Sequence, residues 1–110
     1  MSYEYDGTMD EDGEFHGEGR YRFSDGSEYR GRFEHGMMSG QGVYTHRNGD
    51  VYKGQFRNDR FDGHGVYTWA DGSRYKGQWK DDQMHGHGKQ FDPQGRLVLK
   101  GVWDHDEFSS

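Results

Sequence analysis

Residues 50–59 read DVYKGQFRND and residues 73–82 read SRYKGQWKDD, so that twice, 23 residues apart, a glycine stands between two aromatic residues in what otherwise reads as a strand. Glycine weakens a strand interior, because it loses more entropy on ordering than other residues and has no side chain to pack. Its return at a fixed position calls for a neighbour that uses the space it leaves.

The same unit runs along the chain as YDGTM at Tyr5, YRGRF at Tyr29, YKGQF at Tyr52, YKGQW at Tyr75 and LKGVW at Leu99, at spacings of 24, 23, 23 and 24. A second element follows each of the first four: HGEGRYRF from His16, SGQGVYTH from Ser39, DGHGVYTW from Asp62 and HGHGKQF from His85. Each of these units closes on a turn signal, Asp25-Gly26, Asn48-Gly49, Asp71-Gly72 and the longer DPQG from Asp92. With the period of two of a strand, Tyr52, Gly54 and Phe56 share one face, and Gly63, Gly65, Tyr67 and Trp69 share that face on the next strand. A ring on one strand then lies over a glycine of its neighbour, and covering about 100 Å² in this way contributes ~2.5 kcal/mol. The Asn-Gly and Asp-Gly pairs predict two-residue primed turns, with six-residue loops such as RNDRFD (57–62) at the other edge.

Composition frames the same picture. Only 28% of the 110 residues are hydrophobic and 19 are glycine, which favours a thin structure over a conventional two-layer core. Low hydropathy suits a disordered chain too, but 7 Phe, 8 Tyr and 3 Trp argue for order. The absence of cysteine fits a reducing compartment and removes thiolate chemistry. The opening MSYEYDGTMDEDGEF has no basic stretch and no apolar run, so a signal peptide, presequence or myristoyl anchor is not expected; nor does any window approach a membrane span. The expectation is a soluble intracellular protein.

The pattern resembles the MORN (membrane occupation and recognition nexus) repeat, whose consensus runs approximately YxGxWxxGxxHGxGxxxxxDG, over residues 5 to 103. The resemblance implies an all-β fold, an elongated, single-layer, twisted antiparallel sheet of stacked β-hairpins. The chain divides into an acidic end (1–4), four repeats (5–28, 29–51, 52–74, 75–98), a closing half-repeat strand (99–103) and an acidic tail (104–110), giving about nine strands or ~43 Å of sheet. Departures fall at the extra residue in the first loop, at Asp59 and Asp82 where Gly13 and Gly36 keep the family glycine, at Leu99, and at Gln90 and Phe91, where a bulge or register change is expected.

His85 and His87, like Asp62 and His64, stand two apart on a strand and invite a metal, but Ser39 and Asp62 occupy the position of His16 and His85, and neither a full ligand set nor its support is visible. No metal and no cofactor are expected. No nucleophile elbow or phosphate-cradling loop is present, so the chain does not read as an enzyme. Residues 1–18 hold seven acids and no Lys or Arg, whereas residues 19–103 hold 14 bases and 10 acids, for formal charges of −7 and +4. Arg30, Lys53, Lys76 and Lys100 each stand between ring and glycine and so point away from the rings, as solubilising charges or as a weak site for anionic lipid. Nucleic acid is not expected, since the rings are committed to the sheet and the chain is acidic.

The unpaired face of rings suits a partner helix, with Tyr29, Phe33, Tyr44, Tyr52, Phe56, Tyr67, Trp69, Tyr75, Trp79 and Trp103 as candidate contacts. Leu97, Val98 and Leu99 form an apolar edge strand that can accept a partner strand or a second copy, unless the tail folds back and Phe108 shields it. The resemblance implies a cytoplasmic scaffold or adaptor of cytoskeletal or ciliary assemblies, with phospholipid binding as the alternative.

Overall fold

The computed structural model describes residues 4–109. Ten strands follow one another: β1 (Glu4–Met9), β2 (Phe15–Arg22), β3 (Glu28–Glu34), β4 (Met37–Thr45), β5 (Val51–Arg57), β6 (Arg60–Thr68), β7 (Arg74–Lys80), β8 (Gln83–Phe91), β9 (Leu97–Asp104) and β10 (Glu107–Phe108). They form one antiparallel sheet whose spatial order is the chain order, and the described residues contain no helix. The long dimension is 47 Å. The all-β single layer expected from the repeats is the fold; its tenth strand lies in what reads as an acidic tail.

Glycine answers glycine across the sheet. Gly54 stands opposite Gly42 on one side and Gly65 on the other, and the row continues from Gly7 on β1 to Gly101 on β9. The Tyr52 ring covers this pair: a Cβ on Gly65 would sit 2.3 Å from the Tyr52 Oη, and one on Gly54 would sit 2.4 Å from the Gly65 Cα. Tyr29 and Tyr75 repeat the arrangement, and all three rings are fully buried. Their hydroxyls donate to the carbonyls of Arg32, Gln55 and Gln78 at 2.7, 2.7 and 2.9 Å. Burial pushes the Tyr75 phenol up to about 12 and raises Tyr29 and Tyr52 further, so the rings stay neutral.

A chain of edge-to-face contacts links these rings. Tyr5, Phe33, Tyr29, Phe56, Tyr52, Trp79, Tyr75, Trp103 and Phe108 meet in that order at centroid distances between 4.9 and 5.4 Å. Each such pair contributes about 0.5–1.5 kcal/mol beyond its buried area. The core is therefore a line of rings along one face rather than a space between layers.

The two turn types are exchanged relative to the expectation. At the Asp-Gly edge Phe23 donates to the Ser27 carbonyl at 2.9 Å and Gly26 to the Phe23 carbonyl at 3.1 Å, with Gly26 at φ +98°. That is a three-residue loop, a type I turn ended by a left-handed glycine. The two-residue primed turns lie at the other edge, at His35-Gly36, Asn58-Asp59, Asp81-Asp82 and His105-Asp106, all with positive φ. RNDRFD is accordingly not a loop: β5 ends at Arg57, β6 starts at Arg60, and Phe61 is a strand residue.

Aspartate at these turns has a reason. Asn and Asp tolerate the left-handed conformation better than most residues, and the carboxylate adds a bond to the preceding repeat. Asp59 accepts the Met38 N–H at 2.8 Å while its own N–H donates to the Met38 carbonyl at 3.1 Å. Asp82 does the same to Phe61, and Asp106 to Met84. Gly36 makes only the backbone half of this staple, to Phe15. At the opposite edge the Ser27 hydroxyl accepts the Arg47 N–H at 3.2 Å and Asp50 accepts the Ala70 N–H at 2.8 Å. Ser73 comes next in the series, but the residue twenty positions on is Pro93, which has no N–H to give.

The irregularity expected at Gln90 and Phe91 is present. Gln90 faces Leu99 and Phe91 faces Leu97, leaving Val98 as the extra residue of a bulge in β9.

Gly65→Val and Gly54→Val are expected to lower the free energy of unfolding by about 1–3 kcal/mol in a urea titration, although valine is the better strand former. A variant as stable as the parent would remove the tyrosine seat as the reason for these glycines. Acid provides a second test. The Ser27 N–H holds the Asp25 carboxyl below its usual range, and the Ser73 hydroxyl does the same for Asp71. A depressed native pKa contributes stability that is complete above about pH 4 and is lost as pH falls through the native value. Asp25→Asn with Asp71→Asn, which copies the turn acceptor Asn48, is expected to keep stability near neutrality and flatten the acid limb.

Candidate interaction surfaces

The sheet has two faces of opposite chemistry. On the ring face, Tyr29, Phe33, Tyr52, Phe56, Tyr75, Trp79 and Trp103 lie between 0% and 6% exposed. Tyr29, Tyr52, Phe56, Tyr75 and Trp103, expected as partner contacts, are core, while Phe33 and Trp79 are core residues that also show in the groove. The tyrosines of β1, β3, β5 and β7 are folded onto the glycine row, and over Tyr5 and Tyr52 a phenylalanine of the following strand closes. Phe61 stacks on Tyr52 with centroids 3.8 Å apart and planes 9° apart, as Phe15 does on Tyr5. Phe15, Met38, Phe61 and Met84 are spaced by 23 residues, a periodic apolar position that reading RNDRFD as a loop conceals at Phe61.

Tyr44, Tyr67 and Trp69 are half-buried and line an open groove of about 810 Å³ that runs across the strands, together with Tyr21, Phe23, Phe61 and Met84; Phe33 and Trp79 show at its base. The acidic lining residues are Asp59, Asp82 and Asp106, and no lysine or arginine is among the lining residues. One oxygen of each carboxylate is held by the backbone N–H of the preceding repeat, which fixes the charges at the groove margin. At the other margin the Tyr67 hydroxyl donates to the buried Asp50 at 2.7 Å; burial, and then Asp50, raise the Tyr67 phenol. Burial likewise raises Tyr44.

The opposite face carries the cations. Register places Asp6, Arg20, Arg30, Val43, Lys53, Val66, Lys76, Lys89 and Lys100 in one row from β1 to β9. Lys89 and Arg20 thus join the Arg30, Lys53, Lys76 and Lys100 ladder. Toward the N-terminus its charge is offset: Arg20 lies 4.0 Å from Asp6 and 3.8 Å from Glu28, and Arg30 is 3.8 Å from Glu28. Among the described residues no carboxylate reaches Lys53, Lys76, Lys89 or Lys100. Arg74 lies over the Phe91 ring beside them, 5.6 Å from its centroid.

The C-terminal edge is half covered. β10 pairs with Trp103 and Asp104, and Ser109 donates to the Val102 carbonyl at 2.8 Å. Phe108 packs edge-on against Trp103, and the alternative in which it folds back over the aliphatic residues does not hold. Leu97 and Val98 are exposed, and Leu99 turns into the ring cluster. His85 and His87 do not converge with one another on a metal-capable group among the described residues.

The family model of the MORN repeat matches residues 5–28, 29–51, 52–74 and 75–95. No curated protein matches the chain.

Tyr67→Phe leaves a buried Asp50 oxygen without its donor, and a loss of about 1–2 kcal/mol in unfolding free energy is expected. Tyr44→Phe, where no carboxylate is stranded, is expected to cost less in the same titration.

Proposed function

The chain belongs to the MORN repeat family, and we propose that it is a non-enzymatic scaffold or adaptor that takes an amphipathic helix of a partner protein in its aromatic groove, the basic flank of that helix facing Asp59, Asp82 and Asp106. MORN repeats are commonly modules of protein or membrane interaction and are generally non-enzymatic. The observation that carries the reading is the groove's own repetition. Two strands per repeat advance the sheet by about 10 Å, and seven residues of α-helix rise about 10.5 Å. A helix with an apolar stripe and a Lys or Arg every heptad would therefore meet the same aromatic floor and the same carboxylate once per repeat. In line with the family resemblance, we assign this scaffold to a cytoskeletal or ciliary assembly in the cytoplasm. The exposed Leu97 and Val98 edge is a secondary contact, for a partner strand or a second copy.

A second reading rests on the lysine row. Like charges directly opposite on adjacent strands are destabilising, and Lys76, Lys89 and Lys100 are so placed with no carboxylate in reach among the described residues. An anionic phospholipid surface would relieve them, at about 1 kcal/mol per base.

The two readings part experimentally. Proteins that co-purify from the native cells under mild salt are expected to be lost when Tyr44→Ala and Trp69→Ala are combined. They are also expected to weaken, in a salt-dependent way, with Asp59→Asn, Asp82→Asn and Asp106→Asn, which keep the turn acceptor and remove the charge. The same proteins should survive Lys53→Gln, Lys76→Gln, Lys89→Gln and Lys100→Gln together, while flotation with anionic vesicles, weak in the parent, disappears. Tight flotation, with partners lost only on the lysine changes, would make the lipid surface the main function.

A further inference from the structure

Pairing the strands brings together side chains that lie twenty residues apart in sequence. His85 on β8 and His105 in the turn after β9 both present Nδ1 to one carboxylate oxygen of Asp104, at 3.5 and 2.5 Å. The two imidazoles meet edge to face with centroids 5.5 Å apart. The three donor atoms lie within 4.8 Å of one another, and all three side chains reach solvent. We infer that this cluster is a binding site for a divalent transition metal of the Zn²⁺ type, held by two imidazoles and one carboxylate with solvent completing the shell.

The donor set is the argument. Borderline cations prefer imidazole nitrogen with carboxylate oxygen, whereas calcium and magnesium select oxygen cages. Ligands about 2.0–2.1 Å from a tetrahedral ion stand about 3.3 Å apart. His85 already stands near that separation from Asp104, and His105 need open by less than ~1 Å from an exposed turn. The repeat supplies an internal comparison. The positions of His85 and His105 are held by Ser39 and Asn58 in one repeat and by Asp62 and Asp81 in the next. At the N-terminal end they are His16 and His35, 6.4 Å apart, where His35 converges with Asp10 and Glu14 and contributes the one imidazole of that group. Two imidazoles and a carboxylate come together at the C-terminal end. An ion there would tie β8 to the β9–β10 hairpin, the last pairing of the array.

Because the middle repeats hold Ser39 and Asn58 at these places, His85→Ser and His105→Asn put native residues into native turn geometry, and both variants are expected to fold. Zn²⁺ titrated into the full chain by calorimetry, and Co²⁺ by visible absorption, should show one ion per chain. Each substitution, and Asp104→Asn, should weaken binding by at least about tenfold. Zn²⁺ should raise the thermal midpoint of the parent and not of these variants. Binding absent below millimolar Zn²⁺, or unchanged in His85→Ser and His105→Asn, would overturn the assignment. So would loss of binding only in His35→Asn, which would place the ion at the other end.

Discussion

The structure depends on a tyrosine lying over a pair of glycines. Tyr52 spans Gly54 on its own strand and Gly65 on the next: a Cβ on Gly54 would overlap the Gly65 backbone, and one on Gly65 would overlap the Tyr52 ring. Three requirements are met at once. The ring loses its exposure, the phenol finds a main-chain carbonyl, and the glycines recover the packing their missing side chains forfeit. On a sheet that lacks an opposing layer, the glycine seat beneath and the Phe61 ring stacked above together bury Tyr52. The repeat length follows, since each turn of the pattern needs one strand to carry the ring and a second to offer the other glycine.

A core of this kind extends along the sheet but not away from it, so each repeat touches only its neighbours and stability is close to a sum of local terms. The hydrogen-bonded staples at both edges serve that geometry. Asp59, Asp82 and Asp106 reach back one repeat through their turns, and Ser27 and Asp50 reach forward through theirs. Pro93 breaks the second series where β8 meets β9, the same junction where Val98 bulges and Gln90 replaces tyrosine. The coupling of the closing strand to the array is thus weaker at one edge, and the Asp106 staple, the Trp103 contact to Tyr75 and the His85–Asp104–His105 cluster all lie toward the other.

Much of this was legible from the residues. The period, the ring face, the glycine seats and the bulge at Gln90 follow from spacing and from the alternation of a strand. The turns were not legible, for a definite reason. Asp25-Gly26 suits the centre of a two-residue turn, but the dipeptide alone does not say whether it fills the two central positions or the last two of a type I turn with a bulge. Which of these holds is decided by the strand register on either side. Asn58-Asp59 carries no glycine and so reads as open chain, although its left-handed backbone is stabilised by a bond to Met38 that exists only once the previous repeat is in place. Phe61 was hidden with it. For the candidate surface the limit is burial. Sequence separates the two faces, but it cannot separate a ring that faces a groove, such as Trp69, from one that is covered by the next strand's ring, such as Tyr52.

The alternation that builds the core also sets the two surfaces against each other. Tyr52 and Lys53, Tyr75 and Lys76, and Leu99 and Lys100 are adjacent residues sent to opposite sides, so on β5, β7 and β9 a residue of the ring face is followed by a cation on the other, whereas Tyr5 is followed by Asp6. The groove margin is acidic and its floor aromatic, while the reverse face is basic through β5 to β9. The two faces thus present potentials of opposite sign on one layer of backbone. Since a single layer separates them, a ligand on one side leaves the other fully open. The residues lining the groove and those of the basic face accordingly form two separate sets with none in common.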